Sequence, residues 1–536
     1  MSIKLLDCTL RDGGFLNNWK FGKSDILTIY NRLNKANIDI IEVGFIDDSY
    51  TKDSNATINP TSKFFDELFS VIKNKKAMTV AMIDYGTCNI NNISCPDFLD
   101  GIRVIFKKKD IDGALNYCKQ LKDKGYKVFV QPVSITTYSD KDMLDLIEKV
   151  NKLKPYAMSI VDTYGLMHKD NLIKYFYLID NNLDENISLG YHSHNNFQLG
   201  YANSIEFIEM KTKRNLIVDG SLFGMGKSAG NTSIELLAMY MNENYSKNYD
   251  VDEILELIDL NIMKYKHQHD WGYSMPYYVS ALNDCHPKYV QYLKDKNTLS
   301  IKSINNILER IEHSKKLTFN KDYIEQLYIE YQQKDFDDSL DVKNLEKNLS
   351  SKNILLLGPG RSVLKQKNKV LEYIATVKPV IISINHIPSI CEADYLFISN
   401  NKRYEHYVDI LINKQNKFKI IATSNISPIY DEFDFVLNYG KLLNKNEIIG
   451  DNSMSMLLTA FKNMKIKKLA LAGFDGFNIK ENNYYDSFLS FAENNKDVDL
   501  FNEAIAKQLI EFRQFMEIDF ITESTYEQKK VKYAKN

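Results

Sequence analysis

Two histidines and an aspartate are the residues of this chain that could bind a divalent metal ion. His192 and His194 lie two positions apart in the run YHSHNN, which ends a short apolar stretch. Residues two apart in an extended strand project to the same face, so both imidazoles can bind one cation. Asp12 in TLRDGG offers a carboxylate, provided that the fold brings it beside the histidines. Such a ligand set leaves positions open for a 2-oxo acid, whose carbonyl group the metal would polarise.

Neighbouring charged residues extend this hypothesis, although each motif also has a purely structural interpretation. Arg11, beside Asp12, is placed to hold a keto oxygen as it becomes an enolate. Glu42 in IEVGF would be an unfavourable buried charge unless it is paired, and Arg11 is its expected partner. An HxH pair is commonly a packed or surface pair, and RDGG is a common turn sequence in which glycines supply positive φ.

Eight short apolar runs predict the strands that position these groups. The runs are Ile3–Thr9, Ile38–Phe45, Met78–Tyr85, Gly101–Lys107, Lys127–Ile135, Tyr156–Thr163, Ile187–His194 and Leu216–Phe223. Helix-like segments separate them, and several of these begin with a Ser or Asp suited to N-capping. Apolar strands that alternate with helices are typical of a parallel sheet covered by helices. Eight of them can close into a (β/α)8 TIM barrel of about 250 residues, and an open doubly wound sheet is the alternative.

A closed barrel would bring the candidate residues together. Catalytic groups of such barrels sit at the carboxyl ends of the strands. Asp12 follows the first run, Glu42 lies near the end of the second, and the two histidines end the seventh. Because the first strand of a closed barrel returns beside the last ones, these side chains are expected to meet at one mouth.

The rest of the chain predicts further domains. We expect a catalytic barrel over 1–250, a helical extension over 251–332, a charged linker over 333–351 and a Rossmann-like α/β domain over 352–536. The last domain begins with a strand followed by LGPGRS, in which Gly358 and Gly360 could place backbone N–H groups against a phosphate. We therefore predict a nucleotide or nucleotide-sugar site there, with a plain strand–helix turn as the alternative.

Composition excludes several classes of protein. The 68 Lys and Arg residues nearly balance 70 Asp and Glu residues, so a sequence-blind nucleic-acid binder is not expected. No uncharged apolar stretch is long enough to span a bilayer, and the N-terminus does not read as a signal peptide. The six cysteines are scattered and are expected to be reduced thiols. We expect a cytoplasmic protein that forms a homo-oligomer.

Five motifs in order resemble one enzyme superfamily. LDCTLRDGG, IEVGF, DTYG, YHSHNN and DGSLFGMGKSAGNTSIE, within residues 1–290, resemble the HMGL-like (DRE-TIM metallolyase) superfamily, and most closely its 4-hydroxy-2-oxovalerate aldolases. The resemblance implies a TIM barrel whose divalent metal is held by Asp12, His192 and His194, with Asn231 as an additional ligand. It also implies that Arg11 stabilises an enolate. Mn²⁺ is the expected ion, with Mg²⁺, Co²⁺ and Zn²⁺ as alternatives.

One position departs from the aldolase pattern. The aldolases carry a histidine, proposed as the general base, three residues after the metal-binding aspartate, where this chain has Phe15. The role of base then falls to His269, to Tyr273 or to a metal-bound water. Tyr273 lies in WGYS, which resembles the segment where those aldolases place an active-site tyrosine.

The predicted function is a metal-dependent aldolase that forms or cleaves a 4-hydroxy-2-oxo acid through a pyruvate enolate. Its small-molecule substrates would be a 2-oxo acid and an aldehyde. Residues 353–480 faintly resemble the Rossmann-like domains of surface-glycan enzymes, which suggests a role in surface-polysaccharide sugar biosynthesis. The alternatives are an acyl-CoA-dependent Claisen-type synthase and a non-catalytic glycan-assembly protein.

Overall fold

The chain folds into two compact units. A computed structural model describes residues 2–296, 299–332, 336–412, 418–478, 483–485 and 498–528. The first unit comprises Met1–Gln291 and His313–Phe319, and the second comprises Tyr292–Glu312 and Asn320–Asn536. The predicted helical extension therefore contributes residues to both units. The exact domain boundaries drawn from the sequence stay a prediction.

The first unit is a closed barrel of eight parallel strands, which confirms the predicted TIM barrel. The strands are β1 (Ile3–Asp7), β2 (Ile40–Ile46), β3 (Met78–Asp84), β4 (Gly101–Phe106), β5 (Lys127–Pro132), β6 (Ala157–Asp162), β7 (Ser188–Ser193) and β8 (Leu216–Gly220). They pair in chain order, and β1 pairs with both β2 and β8, which closes the barrel. A short strand, Ile58–Asn59, pairs with the end of β2.

Helices surround this barrel, as the amphipathic segments predict. They are Lys23–Lys35, Ser62–Phe69, Ile111–Asp123, Asp140–Leu153, Lys169–Asp180, Gly200–Glu209 and Ile234–Tyr245. Val251–Leu257, Met263–Lys266 and Met275–Leu282 are further helices of this unit, and Pro287–Asp295 contributes residues to both units. Asp140–Leu153 begins with a capping box, in which Ser139 and Asp142 satisfy each other's backbone N–H groups. Two one-turn helices, Thr9–Asp12 and Gly14–Asn17, follow β1 directly.

The barrel interior changes from apolar to charged along its axis. One layer of inward-facing side chains, including Leu6, Ile40, Phe129 and Ile217, forms an apolar cluster. Side chains two residues further along a strand face the same way. Glu42 and Asp219 occupy such positions, so the next layer towards the carboxyl ends is charged.

The second unit is an α/β domain built on seven parallel strands, which confirms the predicted class. The strands are β9 (Ile354–Leu357), β10 (Val380–Ile384), β11 (Tyr395–Ile398), β12 (Lys419–Thr423), β13 (Phe435–Leu437), β14 (Lys468–Ala472) and β15 (Glu517–Phe520). Their order in the sheet is β13-β12-β11-β10-β9-β14-β15. The direction of winding therefore reverses between β9 and β14, where such sheets open a crevice.

Helices cover both faces of this second sheet. They are Ile301–Leu308, Lys321–Gln332, Ser339–Leu349, Ser362–Lys365, Lys367–Val377, Asn401–Ile412, Tyr439–Leu442, Ser453–Asn463, Val498–Phe512 and Thr525–Gln528. Part of the stretch expected to be a linker is the helix Ser339–Leu349. Leu345 and Leu349 are buried in the core of this unit, because they lie four residues apart on one helix face. Within the described residues, no helix is both long enough and apolar enough to cross a membrane.

Candidate metal centre and active site

Three side chains converge at the carboxyl mouth of the barrel. Asp12 ends the one-turn helix after β1, His192 lies in β7 and His194 follows that strand directly. Their potential ligand atoms lie within 4.8 Å of one another. All three side chains are buried. This arrangement is the one expected from the sequence, and it offers a divalent ion one carboxylate and two imidazoles.

A fourth polar side chain, Asn231, lies beside these three, and one of its atoms lacks a partner in the described part of the chain. The Asn231 amide donates a hydrogen bond from Nδ2 to Oδ2 of Asp12 at 2.7 Å. Its Oδ1 atom is buried and accepts no hydrogen bond from any described residue. A buried acceptor without a partner is unfavourable unless a ligand satisfies it, and amide oxygens bind hard divalent ions. The residues present therefore fit a divalent metal ion, with Asn231 beside the three other ligands.

The two imidazoles are held with one nitrogen available for metal. His194 Nδ1 lies 3.2 Å from the carbonyl oxygen of Gly230 and donates to it, which leaves Nε2 as the free acceptor. Burial lowers the pKa of His194 to about 4, so the ring is neutral at pH 7, as a metal ligand must be. His192 Nδ1 lies 3.0 Å from Oδ2 of Asp219. A carboxylate beside Nδ1 orients the ring and strengthens Nε2 as a ligand.

A network of ion pairs links the candidate metal ligands across the barrel interior. Arg11 pairs with Asp12, and its Nε atom lies 2.7 Å from Oε2 of Glu42. Arg103 Nη1 lies 3.1 Å from the same Glu42 oxygen, and Arg103 also pairs with Asp219. The network therefore runs from Asp12 through Arg11, Glu42, Arg103 and Asp219 to His192.

Sequence reasoning identified one end of this network and missed the other. The predicted pairing of Glu42 with Arg11 is present. Arg103 and Asp219 were not singled out, although each interrupts an apolar strand, in GIRVIF and LIVDG. A charge at an inward-facing position of a barrel strand is the signal that would have found them.

The network fixes the charge states of its members. Burial raises the pKa of Asp12, but the Arg11 guanidinium and the two imidazoles outweigh it, so the pKa lies well below its usual range. The pKa of Asp219 is also lowered, because the effect of the Arg103 guanidinium outweighs the effect of burial. Both carboxylates are therefore ionised at neutral pH.

The position expected to hold a base is occupied by an aromatic ring next to a lysine. Phe15 packs edge-on against Trp19 and Phe45. Nζ of Lys227 lies 5.2 Å from the centre of the Phe15 ring, and the backbone N–H of Lys227 donates to Asp12 Oδ2 at 3.2 Å. Burial lowers the pKa of the Lys227 ammonium group, and Asp12 partly opposes this shift. Lys227 was not among the residues singled out from the sequence.

The other two candidates for the base lie away from the network. Tyr273 is 52% exposed, and its ring packs against that of Tyr278. His269 is half-buried, and its backbone N–H bonds to the carbonyl oxygen of Tyr265. In the described part of the chain, neither side chain hydrogen-bonds to or pairs with the metal-site residues. Their catalytic roles stay a prediction.

The glycines of the second unit have a structural explanation. A Cβ atom on Gly360 would lie 2.5 Å from the carbonyl oxygen of Gly473, so the loops after β9 and β14 approach closely only with glycine there. The backbone N–H of Ser362, which could have bound a phosphate, donates to Asp475 at 2.8 Å. A cavity of about 140 Å³ lies beside these loops, with Arg403 in its wall. A nucleotide or nucleotide-sugar ligand stays a prediction.

The first half of this chain is similar to known proteins. The family model described as HMGL-like matches residues 2–260. Oxaloacetate decarboxylase from Mycobacterium tuberculosis is 26% identical over 258 residues, which cover 47% of this chain and 74% of that protein. A 4-hydroxy-2-oxovalerate aldolase from a Marinomonas species is 25% identical over 268 residues, which cover 48% of this chain and 76% of that protein.

One solved structure that is similar to part of this chain is the N-terminal domain of a putative aldolase from Bacteroides vulgatus. It is 24% identical, with a TM-score of 0.48, and the match covers 56% of this chain and 99% of that one. The five motifs, the eight-stranded barrel and the family match concern the same part of the chain. Residues 2–260 of this chain are therefore an HMGL-like domain.

Proposed function

We propose that the first unit is a divalent-metal-dependent aldolase that forms or cleaves a 4-hydroxy-2-oxo acid through a pyruvate enolate. The convergence of Asp12, His192 and His194 is the observation that carries this proposal. Mn²⁺ is the proposed ion, since carboxylate, imidazole and amide oxygen ligands suit it. A divalent ion bound there would polarise the carbonyl group of the 2-oxo acid.

The chain's own contribution to the reaction is a fixed guanidinium group. Arg11 is held on two sides, by Glu42 and by Asp12, and no hydrogen bond occupies its Nη2 atom within the described residues. A donor held in place in advance stabilises the negative charge that develops on the enolate oxygen. In cleavage, the 4-hydroxyl loses its proton to a base and the C3–C4 bond breaks to release the aldehyde. The bonding electrons move to the enolate, and C3 then takes up a proton to give pyruvate.

Decarboxylation of oxaloacetate is a second candidate, and Phe15 is the observation that favours it. Aldol cleavage needs a base to remove the hydroxyl proton, and Phe15 stands where the aldolases carry a histidine. Decarboxylation needs no such base, because the bond to the carboxylate carbon breaks with release of CO2 and leaves the same pyruvate enolate. One of the relatives is named oxaloacetate decarboxylase, which agrees with this candidate.

Proton exchange at the methyl group of pyruvate tests the step that both candidates share. Protein, Mn²⁺ and pyruvate are incubated in D2O, and loss of the methyl proton signal is followed by NMR. The wild-type protein should exchange the methyl protons, and Asp12→Asn or His192→Ala should slow exchange at least a hundredfold. Asp112→Asn is the matched control, since the side chain of Asp112 is 84% exposed. Exchange at the wild-type rate in both site variants would exclude the proposed site.

Product analysis separates the candidates. A 4-hydroxy-2-oxo acid and oxaloacetate are supplied in turn, and pyruvate release is measured above the rate given by Mn²⁺ with the His192→Ala protein. Faster release from the hydroxy acid supports the aldolase, and faster release from oxaloacetate alone supports the decarboxylase. Release of CoA from acetyl-CoA in the presence of a 2-oxo acid would instead support the Claisen-type synthase. A role in surface-polysaccharide sugar biosynthesis rests on the faint resemblance of residues 353–480 and stays a prediction.

A further inference from the structure

Lys227 is a half-buried cation beside Asp12 that has no carboxylate partner among the residues that the structure describes. Within the described residues, no Asp or Glu oxygen lies within 4 Å of its Nζ atom. The Nζ atom makes a cation–π contact with the Phe15 ring. Arg11 and Arg103, the other buried cations of the site, each pair with two carboxylates. A desolvated ammonium without a partner is unfavourable, and an anionic ligand would remove that penalty.

We propose that Lys227 is an anion-binding catalytic residue, whose ammonium group holds the carboxylate of the 2-oxo acid and balances the charge of its enolate. The inference rests on the proposed function of the first unit. It assigns to this reaction a residue that the predicted ligand set does not contain.

The charges of the site support this assignment. The ion-pair network contains the carboxylates of Asp12, Glu42 and Asp219 and the guanidinium groups of Arg11 and Arg103, which leave one net negative charge. A bound divalent ion would turn this into one net positive charge. The enolate of a 2-oxo acid carries two negative charges, one on its carboxylate and one on its enolate oxygen. One further cation is needed for balance in a site of low dielectric constant, and Lys227 supplies it.

The backbone around Lys227 holds it close to the metal ligands. Its N–H group donates to Asp12, and a Cβ atom on the preceding Gly226 would lie 2.5 Å from Oδ2 of Asp12. Only a glycine at 226 allows the loop after β8 to pass so close to that carboxylate. The Nζ atom of Lys227 lies over the ring of Phe15, which follows β1. Lys227 therefore lies between two neighbouring loops at the barrel mouth, beside Asp12.

Binding of a dianion tests the inference without relying on turnover. Mn²⁺-loaded protein is titrated by calorimetry with oxalate, a dianion that resembles the enolate, and with pyruvate, a monoanion. Lys227→Met keeps the length of the side chain and its packing on Phe15. We expect it to weaken oxalate binding at least tenfold and pyruvate binding by a smaller factor, because the metal-loaded network already balances a single negative charge. Lys227→Arg should restore most of the affinity for oxalate.

Controls separate this inference from folding and from the proposed function. Lys119→Met is the matched control, since Lys119 is exposed on the helix Ile111–Asp123, and the oxalate affinity of this variant should stay within twofold of wild type. Mn²⁺ titration of each variant establishes that the metal site has folded, and Lys227→Gln replaces Lys227→Met if the latter does not bind Mn²⁺.

Oxalate affinity within twofold of wild type in the Lys227 variant overturns the inference. The same result with a raised KM for an anionic aldehyde would place the ammonium at the second substrate instead. Wild-type protein that neither exchanges pyruvate protons nor binds oxalate contradicts the proposed function itself.

Discussion

Oδ2 of Asp219 lies 3.0 Å from Nδ1 of His192, at the end of an ion-pair network that begins at Asp12. Asp219 also pairs with Arg103, so its carboxylate is fixed on two sides. Because Nδ1 lies beside Asp219, Nε2 is the nitrogen of His192 that stays available to a metal ion. Asp12 and His192, the candidate metal ligands at the two ends of the network, are therefore oriented by one set of buried charges.

Removing the charge of Asp219 should weaken metal binding although Asp219 is not a ligand. We expect Asp219→Asn to lower the affinity for Mn²⁺ by about 10–100-fold, the usual effect of losing a partner that orients a ligand. Calorimetric titration with Mn²⁺ measures it, and Asp112→Asn serves as the exposed control. Unchanged Mn²⁺ affinity in Asp219→Asn would show that His192 is held by its packing alone.

Glu42 should stabilise the first unit, because one of its oxygens pairs with two buried guanidinium groups. Oε2 of Glu42 lies 2.7 Å from Arg11 Nε and 3.1 Å from Arg103 Nη1. Glu42→Gln leaves these two cations beside each other without their shared counter-ion, and we expect a loss of about 3–5 kcal/mol in the free energy of unfolding. Urea titration followed by tryptophan fluorescence measures the first unit, since Trp19 and Trp271, the two tryptophans, both lie in it.

An exposed ion pair provides the control for this measurement. Glu67 lies 4.0 Å from Lys63, and both side chains are more than half exposed. Glu67→Gln should change the free energy of unfolding by less than about 1 kcal/mol. Equal effects of the two substitutions would mean that the buried network does not stabilise the barrel.

Asp7 should make the stability of the first unit depend on pH. Burial raises its pKa to about 7, although hydrogen bonds from Thr9 oppose the shift. The folded state therefore binds the Asp7 proton more tightly than the unfolded state, where the pKa is about 4. The stability contributed by that proton is fully present below about pH 4 and is lost as the pH rises towards 7.

The variant Asp7→Asn removes this titration. Its stability relative to wild type should improve steadily between pH 4 and pH 7, as measured by urea titration at each pH with tryptophan fluorescence. Asp112→Asn, at an exposed position, should show a constant difference from wild type over the same range. A constant difference for Asp7→Asn as well would contradict the raised pKa.

Gly360 should be required for the packing of the second unit. A Cβ atom there would lie 2.4 Å from Oδ1 of Asp475 and 2.5 Å from the carbonyl oxygen of Gly473, so Gly360→Ala must separate two loops. We expect a loss of about 1–3 kcal/mol, seen in calorimetry as a lower unfolding temperature for the second unit. Lys367→Ala, at an exposed helical position, should leave that temperature unchanged. If Gly360→Ala leaves the unfolding temperature of the second unit unchanged, loop packing does not explain the glycine, and contact with a ligand becomes the explanation.

Local patterns in the sequence were sufficient to predict the barrel and the convergence of Asp12, His192 and His194 at its mouth. The eight apolar runs correspond to β1 to β8, because fully buried parallel strands need apolar side chains on both faces. His192 and His194 were predicted to share a face because they lie two positions apart along one strand. The resemblance to the HMGL-like superfamily added Asn231, which lies beside Asp12.

Only the tertiary structure decided which charges surround the metal ligands. Arg103 and Asp219 lie 116 residues apart in the chain, and closure of the barrel brings them together. Lys227 follows the last strand of the barrel and reaches Phe15, which follows the first strand, a contact that no local pattern encodes. Strand alternation is a property of neighbouring residues and can be read along the chain. Pairing of buried charges depends on which strands become neighbours, and that is fixed only when the barrel closes.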